Sequence, residues 1–108
     1  MKLRKSVLLE ALKVLGKVVS QTSPVEVQRS VRFLGVGEQV WLTVTDGVES
    51  VTVEVAGDAG DMEEFAVEYK ALRELIRSTR SGEVEVNGKR LDWPEMEVVP
   101  NDAVTVEL

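Results

Sequence analysis

Six basic side chains at helical spacing are the residues here whose arrangement could do chemistry, and the chemistry is contact with phosphate. Lys70, Arg73, Arg77 and Arg80 fall at i, i+3, i+7 and i+10, which at about 100° per residue gathers them into a strip roughly 80° wide on a helix. Lys13 and Lys17 stand four residues apart in an earlier segment, on the side away from Leu8, Leu12 and Leu15. Catalysis has little to work with. The sequence holds no cysteine and no histidine, which excludes disulfides, thiol nucleophiles, imidazole bases and the commonest zinc ligand sets. We therefore expect no catalytic residue, no cofactor, no metal and no enzyme. Asp58, Asp61, Glu63 and Glu64 cluster in sequence, but they lack the ordered ligand spacing of a calcium loop and read as solvated loop charge.

The charge balance bears on what those cations meet. A net charge of -6 argues on average against nucleic acid, because phosphate binding is driven by Lys and Arg displacing condensed counterions. The average hides a segregation. Residues 1–20 carry Lys2, Arg4, Lys5, Lys13 and Lys17 against Glu10 alone, and residues 69–80 carry Lys70, Arg73, Arg77 and Arg80 against Glu74 alone. Ordinary soluble helices mix signs to gain i, i+4 pairs; lysine and arginine that merely solubilised these two would be expected in more mixed company. No aromatic residue interleaves with the basic strip, which disfavours a single-strand stacking platform, and nothing resembles a helix built to read base edges. Non-specific contact with a duplex backbone fits better.

The elements that must position these residues follow from periodicity. Ser6 is placed to cap a helix over 6–20, whose stripe is Leu8, Leu12, Leu15 and Val19; Gly16 weakens it and the run QTSP at 21–24 ends it. A short strand, MKLR, precedes it. From Val25 the period becomes two: Val25 and Val27, Val31 and Phe33, Val40 to Val44, Val51 to Val55. Turns are expected at Gly35 to Glu38 and at Asp46-Gly47, giving a three-strand meander. The acidic run GDAGDMEE at 57–64 reads as a solvated, mobile connection before a short strand at Phe65 to Tyr69. A second helix is expected from Tyr69 to Arg80, with Gly82 just past its end. Val84 and Val86, a turn at Asn87-Gly88, and Val104, Val106 and Leu108 supply the closing strands. The expected class is α+β: one domain over 1–108, two helices on one face of an antiparallel sheet, in the order β-α-β-β-β-(β)-α-β-β. No stretch approaches the roughly 20 apolar residues of a membrane span, so a cytoplasmic location is expected.

This arrangement resembles a single repeat of the bacterial DNA polymerase III beta subunit, the ring-shaped sliding clamp. The resemblance rests on MKLRKSVLLEALKVLGKVVS, on the strand pair around VWLTVTDGVESVTVEV, and on EFAVEYKALRELIRSTRSGEVEV, about residues 1–90. Thr43 to Gly47, TVTDG, is a structural landmark of the pattern. The resemblance implies two helices lining a bore and strands forming the outside and the junctions. Its clamps contain three such repeats, and here there is one. The last third, GEVEVNGKRLDWPEMEVVPNDAVTV, is also similar to the closing part of a small RNA-binding domain found in a ribosomal small-subunit protein and in pseudouridine synthases, although Asn101 stands where that pattern favours glycine.

The resulting expectation is a non-catalytic, clamp-like processivity domain. Lys13, Lys17, Lys70, Arg73, Arg77 and Arg80 would contact duplex DNA weakly and without sequence preference. Its partners would be other clamp-type domains joined by edge-strand pairing, a homo-oligomer among them, and the polymerase machinery. Two alternatives are an RNA-binding accessory module using Lys89 and Arg90, and a protein-interaction domain without nucleic acid. Trp41 and Trp93 are candidates for a protein contact in any of these.

Overall fold

A computed structural model describes residues 1–93 and the backbone of 103–107. The elements are β1 (Lys2–Arg4), α1 (Lys5–Leu15), α2 (Glu26–Arg29), β2 (Ser30–Thr45), β3 (Ser50–Glu68), α3 (Tyr69–Ser78), β4 (Glu83–Glu85) and β5 (Ala103–Glu107). The class is the expected one, α+β with helices against a largely antiparallel sheet. Several boundaries differ, each for a local reason.

The sheet is built on β3. One of its edges pairs antiparallel with β2 over nearly the whole length of both strands, from Ser30 opposite Glu68 to Thr45 opposite Ser50. Its other edge is shared by a parallel β5 along Ser50 to Glu54, by β1 at Asp58, and by a bridge between Ala66 and Lys89. β4 closes the sheet against β1. The closing strand at β5 is parallel, not antiparallel, because it arrives from a distant segment and no tight turn dictates its direction.

Instead of a three-strand meander, one long hairpin fills 30–68. Gly35 to Glu38 form no turn: β2 continues through them and keeps pairing with β3. The misfit is absorbed by bulging, since between Gly35 and Gln39 four steps of β2 face seven of β3, from Glu63 to Ala56. Gly37 and Gly60 sit opposite each other there, both at positive φ, a conformation open to glycine at no steric cost. The acidic run 57–64 is therefore bulged strand and not a loop. Nor do Val25 and Val27 belong to a strand; Val27 lies in α2. Ser23 Oγ accepts from the Val25 amide (3.1 Å) and donates to Gln28 (2.8 Å). Ser23-Pro24 thus forms a turn that leads into α2, whose N-cap is Val25.

The hairpin end at Asp46-Gly47 forms as expected. Asp46 Oδ1 accepts the amides of Val48 (2.8 Å) and Glu49 (2.7 Å), and these bonds hold its carboxyl below the ordinary aspartate range. Asn87-Gly88, by contrast, makes no hairpin. The chain runs on to Lys89, whose backbone exchanges two hydrogen bonds with Ala66 (2.8 and 3.1 Å).

Alternation leaves the hairpin one apolar face. Val31, Phe33, Val40, Leu42, Val44, Val53 and Val55 are buried in one cluster with α1 and α3, and Phe33 stacks on Phe65 at 5.1 Å. Full burial of each such side chain contributes about 1.5–3 kcal/mol relative to exposure. α1 inserts Leu8, Ala11, Leu12 and Leu15, and α3 inserts Tyr69, Leu72 and Ile76. On the opposite face Thr43 and Thr52 share a hydrogen bond (2.9 Å) and Trp41 is half-buried.

The two helices run antiparallel, tied at both ends. Lys5 at the start of α1 donates its amide to Gly82 (2.8 Å) and its ammonium to the Thr79 carbonyl (2.7 Å). At the other end the Tyr69 hydroxyl donates to the Leu12 carbonyl (3.4 Å). α1 starts at Lys5 with no side-chain cap, so Ser6 lies inside it, and it ends at Leu15 instead of Ser20. Gly16 terminates it and lets α3 approach, because a Cβ at Gly16 would stand 2.7 Å from the Tyr69 hydroxyl. The following residues wind into turns that end with Val19 buried. Among the described residues, no helix is long and apolar enough to cross a membrane.

Two expected outcomes follow. Asp46→Ala should lower stability to urea by a few tenths to about 1 kcal/mol, and Asp46→Asn, which keeps the accepting oxygen, by less. Because folding lowers the Asp46 pKa, its contribution is present above the ordinary value of 3.8 and is lost as pH falls through the lowered one; the Asn variant should lack that step. Gly16→Ala should be costlier in the wild-type background than in Tyr69→Phe. A double-mutant cycle should give a coupling of about 0.5–2 kcal/mol, and no coupling would mean that the hydroxyl does not set the helix separation.

Candidate nucleic-acid interface

The outer sides of α1 and α3 meet at a groove of about 470 Å³. Lys13 from α1 and Arg73 and Arg77 from α3 all line it, so three of the six expected contact residues converge at one place. The antiparallel tie explains why. Tyr69, anchored at Leu12, brings the first turns of α3 to the last turns of α1, where Lys13 stands.

Each cation is held differently. Lys13 pairs with Glu10 at 3.1 Å and Arg77 with Glu74 at 3.8 Å, both exposed i, i+3 contacts that cost little to exchange for another anion. Arg73 is half-buried, its guanidinium carbon 5.9 Å from the Tyr69 ring centroid. Among the described residues its Nε is buried without a hydrogen-bond partner. Packing against Tyr69 thus fixes the stem of Arg73 while leaving a donor unused.

The other three expected residues are exposed, and none lines the groove. Lys70 lies in the first turn of α3. Lys17 falls beyond α1, in the turn after Gly16, and Arg80 falls beyond α3, which ends at Ser78. Their helical spacing therefore overstated the ridge: only Lys70, Arg73 and Arg77 share a helix face.

The floor of the groove is not announced by the periodicity of either helix. Leu9, Leu12, Tyr69 and Ile76 make it apolar. The available signal was Leu9, an apolar residue outside the buried stripe and four positions before Lys13.

Of the two basic residues of the last third, Lys89 is already engaged, whereas Arg90 is exposed. Lys89 forms an ion pair with Glu26, and this hydrogen bond holds the Glu26 carboxyl below the ordinary range. Arg90 lines a separate cavity of about 420 Å³ together with Arg32, Glu64, Asp92 and Trp93. Arg32 and Glu64 are themselves paired at 2.6 Å. Among the described residues, no group of three or more acidic side chains is arranged to hold a metal ion.

No protein-family model matches the sequence, and no curated protein is significantly similar to it. Solved structures do match. A DNA polymerase III subunit beta sliding clamp from Bartonella birtlesii superposes with a TM-score of 0.73 at 17% identity, over 89% of this chain and 33% of that one. The Pseudomonas aeruginosa sliding clamp matches with a TM-score of 0.66 at 24% identity, over 80% and 25%. Caulobacter crescentus pol III beta matches with a TM-score of 0.68 at 17% identity, over 76% and 22%. This chain spans at most about a third of those clamps. With its hairpin, its antiparallel helix pair and these superpositions together, the chain has the fold of a segment of the bacterial DNA polymerase III beta clamp.

Proposed function

We propose that this chain is a single, non-catalytic clamp-type domain that rests on duplex DNA through the outer side of α1 and α3. The observation that carries the reading is the convergence of Lys13, Arg73 and Arg77 at one groove, in a chain whose carboxylates lie overwhelmingly on other elements. Such a placement of charge gives the molecule a locally basic side despite its net charge of -6. Its basic side attracts phosphates while its acidic side is repelled, which orients the duplex over the helices without any base contact. Contacts of this kind are exposed and screened beyond about 8 Å at physiological salt, so binding by one copy is weak and free to slide. Lys17, Lys70 and Arg80 extend the contact along the backbone.

Processivity requires more than one such domain, and the sheet offers a means of joining them. Among the described residues the outer edge of β2 pairs with no other strand, and an unpaired edge is a template for a neighbouring clamp-type domain or a second copy. We place the domain with polymerase machinery in the cytoplasm. This reading also accounts for the lack of cysteine and histidine, since a scaffold that encircles DNA needs neither nucleophile nor base.

Fluorescence anisotropy with a labelled duplex at low salt tests the reading. The wild-type chain should bind weakly, with affinity falling steeply as salt rises. The triple variant Lys13→Glu, Arg73→Glu, Arg77→Glu should lose binding, and Arg77→Glu alone should reduce the salt slope by about 1. Lys89→Glu with Arg90→Glu should leave duplex affinity unchanged. Equal affinity of the wild type and the triple variant at low salt would sink the proposal.

A further inference from the structure

The groove between α1 and α3 holds more than phosphate contact requires. Its floor is apolar, and Leu9 remains 44% exposed within it. A phosphate backbone gains nothing from that surface, whereas an apolar side chain gains by covering it. The same chain carries an exposed apolar side chain beside opposite charge. Where β3 bulges, Met62 is 63% exposed and is preceded by the exposed carboxylates Asp58 and Asp61. An unbranched methionine adapts to an irregular apolar gap better than any other side chain of its size.

The charges on each side are available. Glu63 is held by the Met1 ammonium at 3.2 Å and Glu64 by Arg32 at 2.6 Å, but among the described residues Asp58 and Asp61 form no ion pair. On the groove, Lys13 and Arg77 have only exposed partners on their own helices, and Arg73 keeps a buried, unused donor. Opposite charges of this kind steer and orient an encounter even where they add little affinity.

We propose that the β3 bulge of one copy seats Met62 in the α1–α3 groove of a second copy, with Asp58 and Asp61 facing Lys13, Arg73 and Arg77. Bulge and groove are different surfaces, so the contact is head-to-tail and each bound copy still presents one of each. The surface covered by one methionine and its neighbours lies at the low end for specific interfaces, which makes the association weak, concentration-dependent and sensitive to salt. It would also cover the three groove cations, but the contact itself is independent of any nucleic acid.

Sedimentation velocity of the full chain over rising concentration, without DNA, tests it. The wild type should form species larger than a dimer at low salt and dissociate at high salt. Met62→Asn and Leu9→Asn, which leave net charge unchanged and alter exposed positions, should each weaken self-association by roughly tenfold, with unaltered circular dichroism. An equimolar mixture of the two should form chiefly dimers, because the Leu9→Asn copy keeps an intact bulge and the Met62→Asn copy an intact groove, while every other contact is weakened. A wild type that stays monomeric at every concentration overturns the proposal, as do variants that associate like the wild type or a mixture that stays monomeric. The two contacts would compete for the same three cations, but this assay contains no DNA, so a failure of self-association leaves the duplex reading standing and a failure of duplex binding leaves this one standing.

Discussion

Burial of a single apolar face on the β2–β3 hairpin is the constraint from which the rest of this molecule follows. Side chains alternate along a strand, so Val31 and Phe33 project to one side, and the bulging between Gly35 and Gln39 shifts the phase so that Val40, Leu42 and Val44 are buried on that side as well. Both amphipathic helices must cover that side, because it is where their own leucines, tyrosine and isoleucine escape water. Once both lie there, they have to be neighbours. Lys5, Gly16 and Tyr69 then fix how closely and in which direction they run. The cations occupy the helix sides left over after packing, so their convergence is a by-product of core formation.

Charge placement works against the average composition and depends on that geometry. Taken as a uniform sphere, a chain with net charge -6 would repel DNA. With the carboxylates mainly on strands and connections and the groove cations on the helices, the field has direction. Arg73 shows how packing and electrostatics combine: its stem is held beside Tyr69, so its guanidinium has less freedom to lose on meeting an anion than a fully exposed lysine has. Pairs such as Glu10 with Lys13 trim the positive field without abolishing it, since exposed partners exchange readily.

The parts of this fold legible in the sequence were those in which periodicity and local chemistry agree. Leu72 and Ile76 mark α3, the valine alternation marks the strands, and Asp46-Gly47 marks a turn that its own carboxylate stabilises. Longer-range pairing was illegible. Gly35 to Glu38 have turn chemistry, yet β3 supplies a partner on both sides of them, and the pairing carries β2 straight through. GDAGDMEE lacks periodicity because it is bulged, and a bulge breaks the alternation by which a strand is recognised. The parallel direction of β5 is likewise a property of the assembled sheet. Of the candidate contact residues, the spacing of Arg73 and Arg77 predicted a shared face correctly. Lys17 and Arg80 lie outside their helices because α1 ends at Gly16 and α3 ends where Thr79 turns to extended backbone, its carbonyl taken by Lys5. The apolar floor needed two helices in contact, which no single periodic pattern encodes.

On the proposed reading, α1 and α3 together present the surface that meets duplex DNA. Amide chemical-shift mapping during titration of the isotope-labelled chain with a short duplex measures this most directly. Perturbations should centre on Lys13, Arg73 and Arg77 and extend to Lys70 and the turns holding Lys17 and Arg80, while the sheet face bearing Thr43 and Thr52 stays unmoved. Shifts centred on Arg32, Lys89 and Arg90, or spread evenly over both faces of the sheet, would contradict it.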